Sequence, residues 1–255
     1  MIDIVTVSYF RIDFTLDMLP TLKAFTTTPY RLILIDNGSD DQTVMALNEA
    51  REDGLIDELI LLPKNLGLEP AKNIALRSVR NDLVGFPDEA VSVYVDTDND
   101  IIVPPPDKDG DWLSKLLKLM TPEYAAIALP PQVFIGANKE EMFRDAKGVL
   151  DRDFVGGSMR LMRTEAVRKV GGWRDNPKDM VEANRGEEHY ICGKLRKEGY
   201  KVGYAVDIPC FHQFGEDQWG YKDGEEHYHR PQQIPTDKMY GTKEAWLNKF
   251  EYKYE

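Results

Sequence analysis

The sequence predicts an α/β fold with a mainly parallel central sheet flanked by helices. Three observations carry that prediction. Ile- and Val-rich apolar runs alternate with amphipathic stretches through the first hundred residues, at the pace of right-handed βαβ units. Short turn signals, "NGSDD" and "PKNLG", separate them. Acidic clusters, "DNGSDD" and "DTDND", fall where strands end, the side on which open parallel sheets hold their ligands.

Taken in order, "IDIVTVSY" alternates and is rich in Ile and Val, which predicts a buried first strand. In the following stretch Phe14, Leu16, Leu19, Leu22 and Phe25 recur at near-helical spacing, with Pro20 as a candidate kink. "RLILID" predicts a second strand, "NGSDD" a turn with Ser39 or Asp40 as helix cap, and "QTVMALNEAR" a second helix. "IDELILL" is a third strand, "LEPAKNIALRSV" a third helix and "AVSVYVD" a fourth strand. After residue 102 the rhythm changes. "WLSKLLKLM" predicts a short helix and "YAAIALPP" a strand, while residues 133–153 read as irregular and polar. "FVGGSMRLMRTEAVRKVGGW" predicts strand, helix and turn. "GEEHYICGKLRKEGYKVGYAVDIPCFHQFG" predicts a helix stopped at Gly199 and then one or two strands. Beyond about residue 213 the chain is aromatic and charged with little periodicity.

At 255 residues the chain has room for one large domain or two small ones, with a core that needs no covalent staples. Cys192 and Cys210 are too few for a disulfide framework, which points to a reducing, cytoplasmic setting. No apolar run reaches the roughly 18 residues of a membrane span, and "MIDIVTVSYF" reads as a strand rather than a secretory signal. A net charge of −12 disfavours nucleic acid as a partner but leaves room for a small anion held through a metal.

Closely spaced aspartates at a strand end suit a hard divalent cation, Mg²⁺ or Mn²⁺, bridging carboxylates and substrate phosphates. Asp96 and Asp98 form such a D-x-D pair, although a solvated acidic turn has the same spelling. Glu187 and Glu188 open a predicted helix, where the macrodipole favours carboxylates with or without a catalytic duty.

The order "IDNGSDDQT", "NLGLEPAKNIAL", "VYVDTDNDI", "VGGSMRLMRTEAVRKVGGW", "EEHYICGKLRKEGYKVGY" resembles the GT-A-fold glycosyltransferases, a Rossmann-like architecture, and among them the inverting family 2. The resemblance covers residues 3 to roughly 215. It implies a nucleotide-sugar-binding half over 1–102, an acceptor-binding and catalytic half over 103–215, and a tail over 216–255 that serves as acceptor lid or oligomer contact. It implies transfer of a sugar from a nucleotide diphosphate sugar to an acceptor hydroxyl. Val7, Ser8 and Tyr9 would then line the base and ribose, and Asp36 would contact the base, a position that also suits a turn or cap. Asn65, Lys72 and Asn73 would lie around the phosphates; many relatives have Arg where this chain has Lys72. Asp98 would bind metal directly, Asp96 would reach ribose or metal-bound water with Thr97 between them, and Asp100 would be an exposed neighbour. Gly157, in "GGS", would let backbone approach the donor or acceptor, or mark a strand bulge; Trp173 would pack in the core or stack on a sugar. His212 would complete the metal site. Glu188 would be the base, where the family usually has Asp, and Glu187 its helper or an acceptor contact. The acceptor, whether glycan, lipid-linked or small molecule, is left open. Two other readings stand beside this one, a sugar-phosphate nucleotidyltransferase and a non-catalytic nucleotide-sugar-binding module. "SYFRIDFT" lacks the glycine-rich loop the first of these would want.

Overall fold

A computed structural model of the chain describes residues 1–85, 89–132, 143, 145–175, 186–213 and 243–250. The first half runs β1 (Ile2–Ser8), α1 (Ile12–Phe25), β2 (Tyr30–Asp36), α2 (Asp41–Glu52), β3 (Glu58–Leu61), α3 (Leu68–Ser78), β4 (Leu83–Gly85) and β5 (Ala90–Asp98). The second half adds β6 (Ile101–Ile102), α4 (Trp112–Leu119), β7 (Tyr124–Ala128), β8 (Val149–Arg152), β9 (Arg160–Arg163), α5 (Thr164–Lys169), α6 (Glu187–Lys197), β10 (Lys201–Ala205), β11 (Phe211–His212) and α7 (Lys243–Leu247).

One sheet crosses both halves in the order β3-β2-β1-β5-β9-β7-β10-β8, with β4 paired to β5. β1 lies parallel to β2 and to β5, and β7 parallel to β10, whereas β9 runs antiparallel to both β5 and β7. β1 is buried along its whole length because both sheet faces are covered, and its alternation sorts side chains between two cores. Ile4, Leu32 and Leu34 face α1, α2 and α4, packing with Leu19, Phe25, Leu47 and Trp112. Val5, Ile33 and Ile35 face the other way, toward Ala71, Ala75, Val167, Ile191 and Leu195 of α3, α5 and α6. The result is three layers, α/β/α, matching the predicted class.

The predicted helices and longer strands are present. Asp40 is the cap of α2, accepting from Thr43 N at 2.9 Å. Pro20 sits on the exposed side of α1 and does not end it. Three short strands were not legible. β4 pairs antiparallel with the start of β5, β8 lies within the stretch read as irregular, and β6 pairs antiparallel with β11. The last matters most, because its register sets His212 opposite Ile101, one residue beyond Asp100. Part of the tail docks beside it. Trp246 is 5% exposed and packs on Phe211, with ring centroids 5.9 Å apart. Tyr221, His227, Tyr228, His229 and Tyr240 lie outside the described residues, as does most of 133–144.

Candidate functional site

The carboxyl ends of β1, β2 and β5 share one rim, with Ser8 in register with Asp36 and Val7 with Asp98. Asp36 is buried at the base of this rim. Its Oδ2 accepts from Ser39 N at 3.0 Å, and its Oδ1 is left with no hydrogen-bond partner among the described residues. A buried acceptor with an unused lone pair is costly unless a ligand donates to it. Ser39 Oγ accepts from Phe10 N at 2.8 Å and so ties the β1–α1 turn to this corner. In that turn Phe10 and Arg11 both hold left-handed backbone, φ 51° and 49°, uncommon for residues with a Cβ. Tyr9 is half-buried there, edge-on to Phe10 at 4.7 Å. Val7 is in the core, and Ser8 sits beneath the rim with Thr15 and the amide of Asn99.

At the end of β5 three potential ligands converge. Atoms of Asp98, Asp100 and His212 lie within 4.8 Å of one another. Asp100 is a correction to the expected exposed neighbour: it is 2% exposed, because the turn at 99–100 folds it inward. Arg11 Nη2 donates to its Oδ2 at 3.1 Å, and His212 Nε2 lies 3.1 Å from its Oδ1. Burial alone would raise the Asp100 carboxyl, but His212 and Arg11 outweigh it and hold it below its usual range. Burial opposes a charged His212, yet Asp100 outweighs that and lifts the imidazole above its ordinary value. Asp98 is the open member, its side chain about a third exposed. Its recessed position raises it, Lys72 opposes the rise, and Asp100 and Glu187 add to it. Two carboxylates and one imidazole around a point fit a divalent cation, with the imidazole more at home on Mn²⁺ than on Mg²⁺.

The pair that converges is therefore Asp98 and Asp100, whereas the expected ligand Asp96 is turned to other partners. Asp96 Oδ2 accepts from Lys72 Nζ at 3.0 Å and from Arg160 Nη2 at 2.5 Å. Glu187 accepts from the same two cations, from Lys72 at 2.9 Å and from Arg160 at 3.1 and 3.2 Å, and from Trp173 Nε1 at 2.7 Å. All five side chains are buried. Burial would raise Glu187, but Arg160 and Lys72 bring it to about 2, and Asp96 and Glu187 in turn raise Lys72 against its own desolvation. The Lys72 ammonium is thus committed to carboxylates, with Asp98 Oδ1 a further 3.9 Å away. Trp173 packs in the core, the first of its two expected roles.

Glu188, next in the chain, makes no such ion pairs among the described residues: half-buried, it is pushed up to about 7 by desolvation first, then by Glu187, with Asp98 adding. Two adjacent glutamates are thereby driven apart in acidity by environment, one fixed as an anion and one poised near neutrality. Arg160 was not foreseen. The available signal was an arginine inside the apolar stretch "SMRLM", where an unpaired charge cannot stay.

The remaining expected residues support this geometry. Asn65 Oδ1 accepts from Asn37 Nδ2 and Gly67 N, at 3.0 and 2.8 Å. Asn73 staples the "VGGW" turn, donating to the Trp173 carbonyl and Asp175 and accepting from Trp173 N. Thr97 Oγ1 donates to the Asp98 carbonyl and accepts from Met159 N. At Gly157 an added Cβ would lie 2.6 and 2.7 Å from the two Asp98 oxygens, so the absent side chain makes room for that carboxylate. Gly157→Ala is expected to weaken Mn²⁺ affinity about tenfold or more, with the thermal midpoint little changed; a manganese titration followed by electron paramagnetic resonance reads the difference.

The sequence profile of glycosyl transferase family 2 matches residues 3–171. A search of curated proteins gives no match. Among solved structures, the mannosyltransferase PcManGT from Pyrobaculum calidifontis, in complex with GDP-Man and Mn²⁺, is 17% identical with a TM-score of 0.59, over 83% of this chain and 56% of that one. TarS from S. aureus in complex with UDP-GlcNAc is 15% identical with a TM-score of 0.60, over 87% of this chain and 61% of that one. GalNAc-T7 with UDP, GalNAc and Mn²⁺ is 12% identical with a TM-score of 0.62, over 86% and 45%. At these identities the likeness is one of fold, and this chain spans about half the length of the structures it resembles.

Proposed function

Because the chain belongs to glycosyl transferase family 2, we propose that it is a metal-dependent enzyme that moves a sugar from a nucleoside diphosphate sugar to an acceptor hydroxyl, with inversion. The observation that carries this reading is the meeting, on one rim, of a three-ligand cation site with a glutamate whose acidity is tuned to about 7.

Asp36 and Tyr9 hold the base end of the donor: the free Oδ1 of Asp36 accepts an N–H from the base, and Tyr9 borders it. A divalent cation held by Asp98, Asp100 and His212, Mn²⁺ by preference, would neutralise the charge of the donor's diphosphate. Glu188 takes the proton of the acceptor hydroxyl as that oxygen attacks the anomeric carbon; the sugar's bond to the diphosphate breaks and its electron pair leaves with the phosphate. A base near pKa 7 is largely ionised at neutral pH and still basic enough to accept that proton. Glu187 stays an anion throughout and keeps Glu188 company rather than sharing its task. No helix among the described residues is long and apolar enough to cross a membrane.

The test is a panel of UDP-, GDP- and dTDP-sugars with Mn²⁺ or with a chelator, read by thermal shift and by release of nucleoside diphosphate. One donor is expected to raise the midpoint by several degrees with Mn²⁺ and to be slowly hydrolysed, as mass action requires of a ligand well above its Kd. Indifference to every donor would sink the reading.

A further inference from the structure

The structure assigns to Arg160 the task of positioning Glu188 for proton transfer, through Glu187; this rests on the transfer reading above. Its guanidinium is fully buried on β9 and reaches three separate elements. Nη2 donates to Asp96 on β5 and to both oxygens of Glu187 at the start of α6, and Nη1 donates to the Val155 carbonyl at 3.2 Å. Each contact is one or two residues from a group of the site: Asp96 from Asp98, Val155 from Gly157, Glu187 from Glu188. Lys72 closes the ring from α3, so two cations and two anions sum to zero charge inside the protein.

Fold stability alone does not require this arrangement. Leu161 and Met162, beside Arg160 on β9, are apolar and buried, and an apolar residue commonly serves a core position at least as well as a buried ion pair. What the ring supplies is direction. The first turn of α6 follows Gly186, in left-handed backbone with no side-chain cap, so among the described residues the Glu187 contacts are what anchor that turn. Glu187 is gripped from both sides by the ring and by Trp173, which leaves Glu188 to project on the neighbouring part of the helix surface. Nη2 meets Glu187 and Asp96 while Nη1 meets the Val155 carbonyl, a spread over two nitrogens that a single ammonium cannot reproduce.

The experiment is a cycle of Arg160→Lys, Glu188→Gln and the double variant in the full chain, with Mn²⁺ and the donor found in the panel. Arg160→Lys keeps the buried charge balance and is expected to fold, with near-UV circular dichroism unchanged. Its kcat should fall about 10- to 100-fold with the donor KM within about twofold, the scale that misplacing a reacting group produces. In the Glu188→Gln background the same substitution should cost almost nothing further, since the group it positions is already gone. Should Arg160→Lys not fold, Glu187→Gln, nearly isosteric, takes its place with the same expected pattern. Unchanged kcat in the folded variant, or an equal loss in both backgrounds, would overturn the inference alone. Absence of turnover in the wild-type chain would overturn the transfer reading and this inference with it.

Discussion

Replacing Glu188 with Gln is expected to lower kcat by about 10²- to 10⁴-fold, the span that removal of a general base covers, while leaving Mn²⁺-dependent donor binding in place. The amide keeps the shape of the side chain and loses only its ability to take a proton. Because the wild-type group titrates near 7, kcat/KM of the wild-type chain should fall about tenfold per unit as pH drops below that value. The variant's residual rate should lack this limb. Stability should move the other way. The folded pKa of Glu188 lies above its ordinary 4.5, so the protonated side chain is the one the fold accommodates. That advantage is complete below about 4.5 and is lost as pH rises through about 7. Glu188→Gln should therefore melt at or above the wild-type temperature at pH 8, with the margin closing toward pH 5. A residue that costs stability while carrying activity is a functional residue in the physical sense. Equal turnover in variant and wild type would assign the base elsewhere, or leave a module that binds a nucleotide sugar without transferring it.

Much of the fold was legible because it is written in local pattern. β1, β2 and β5 are apolar runs bounded by turn residues, α2 carries its own Asp40 cap, and α3 has amphipathic spacing. The position of the rim followed from strand direction alone. What escaped was everything decided across long separations. β6 and β11 are two residues each, too short for any periodicity, yet their pairing brings His212 to Asp100. Asp96 and Asp98 alternate correctly to lie on one side of β5, but Arg160, 64 residues on, claims Asp96 and leaves Asp98 for the cation site. Asp100 looked solvated because the turn that folds it inward has no strong sequence mark. Glu187 and Glu188 are indistinguishable as letters. Their difference comes from Lys72, Arg160 and Trp173, which arrive from three distant parts of the chain.

The second large effect concerns the cation site itself. Asp98 contributes the exposed carboxylate of the three candidate ligands, and Asp100 lies deeper, paired with Arg11 and His212. Asparagine at 98 or 100 keeps an oxygen but loses the charge that attracts a divalent ion, which is the larger part of its affinity. His212→Ala removes the nitrogen ligand and should shift preference from Mn²⁺ toward Mg²⁺ rather than abolish binding. The ring of Lys72, Asp96, Arg160 and Glu187 keeps its own pairs in each case, with only the 3.9 Å approach of Asp98 to Lys72 altered, so the fold should survive; Asp100→Asn, which weakens the buried partner of Arg11 and His212, should lower the melting point more than Asp98→Asn.

Calorimetry of nucleoside diphosphate binding, with and without Mn²⁺, tests the central claim directly. Wild type should bind at least about tenfold tighter with the ion, and Asp98→Asn with Asp100→Asn should erase that difference in a chain whose near-UV circular dichroism shows it folded. If the doubly substituted chain keeps the full Mn²⁺ enhancement, the cation does not sit between these aspartates and His212, and the account of the site is wrong.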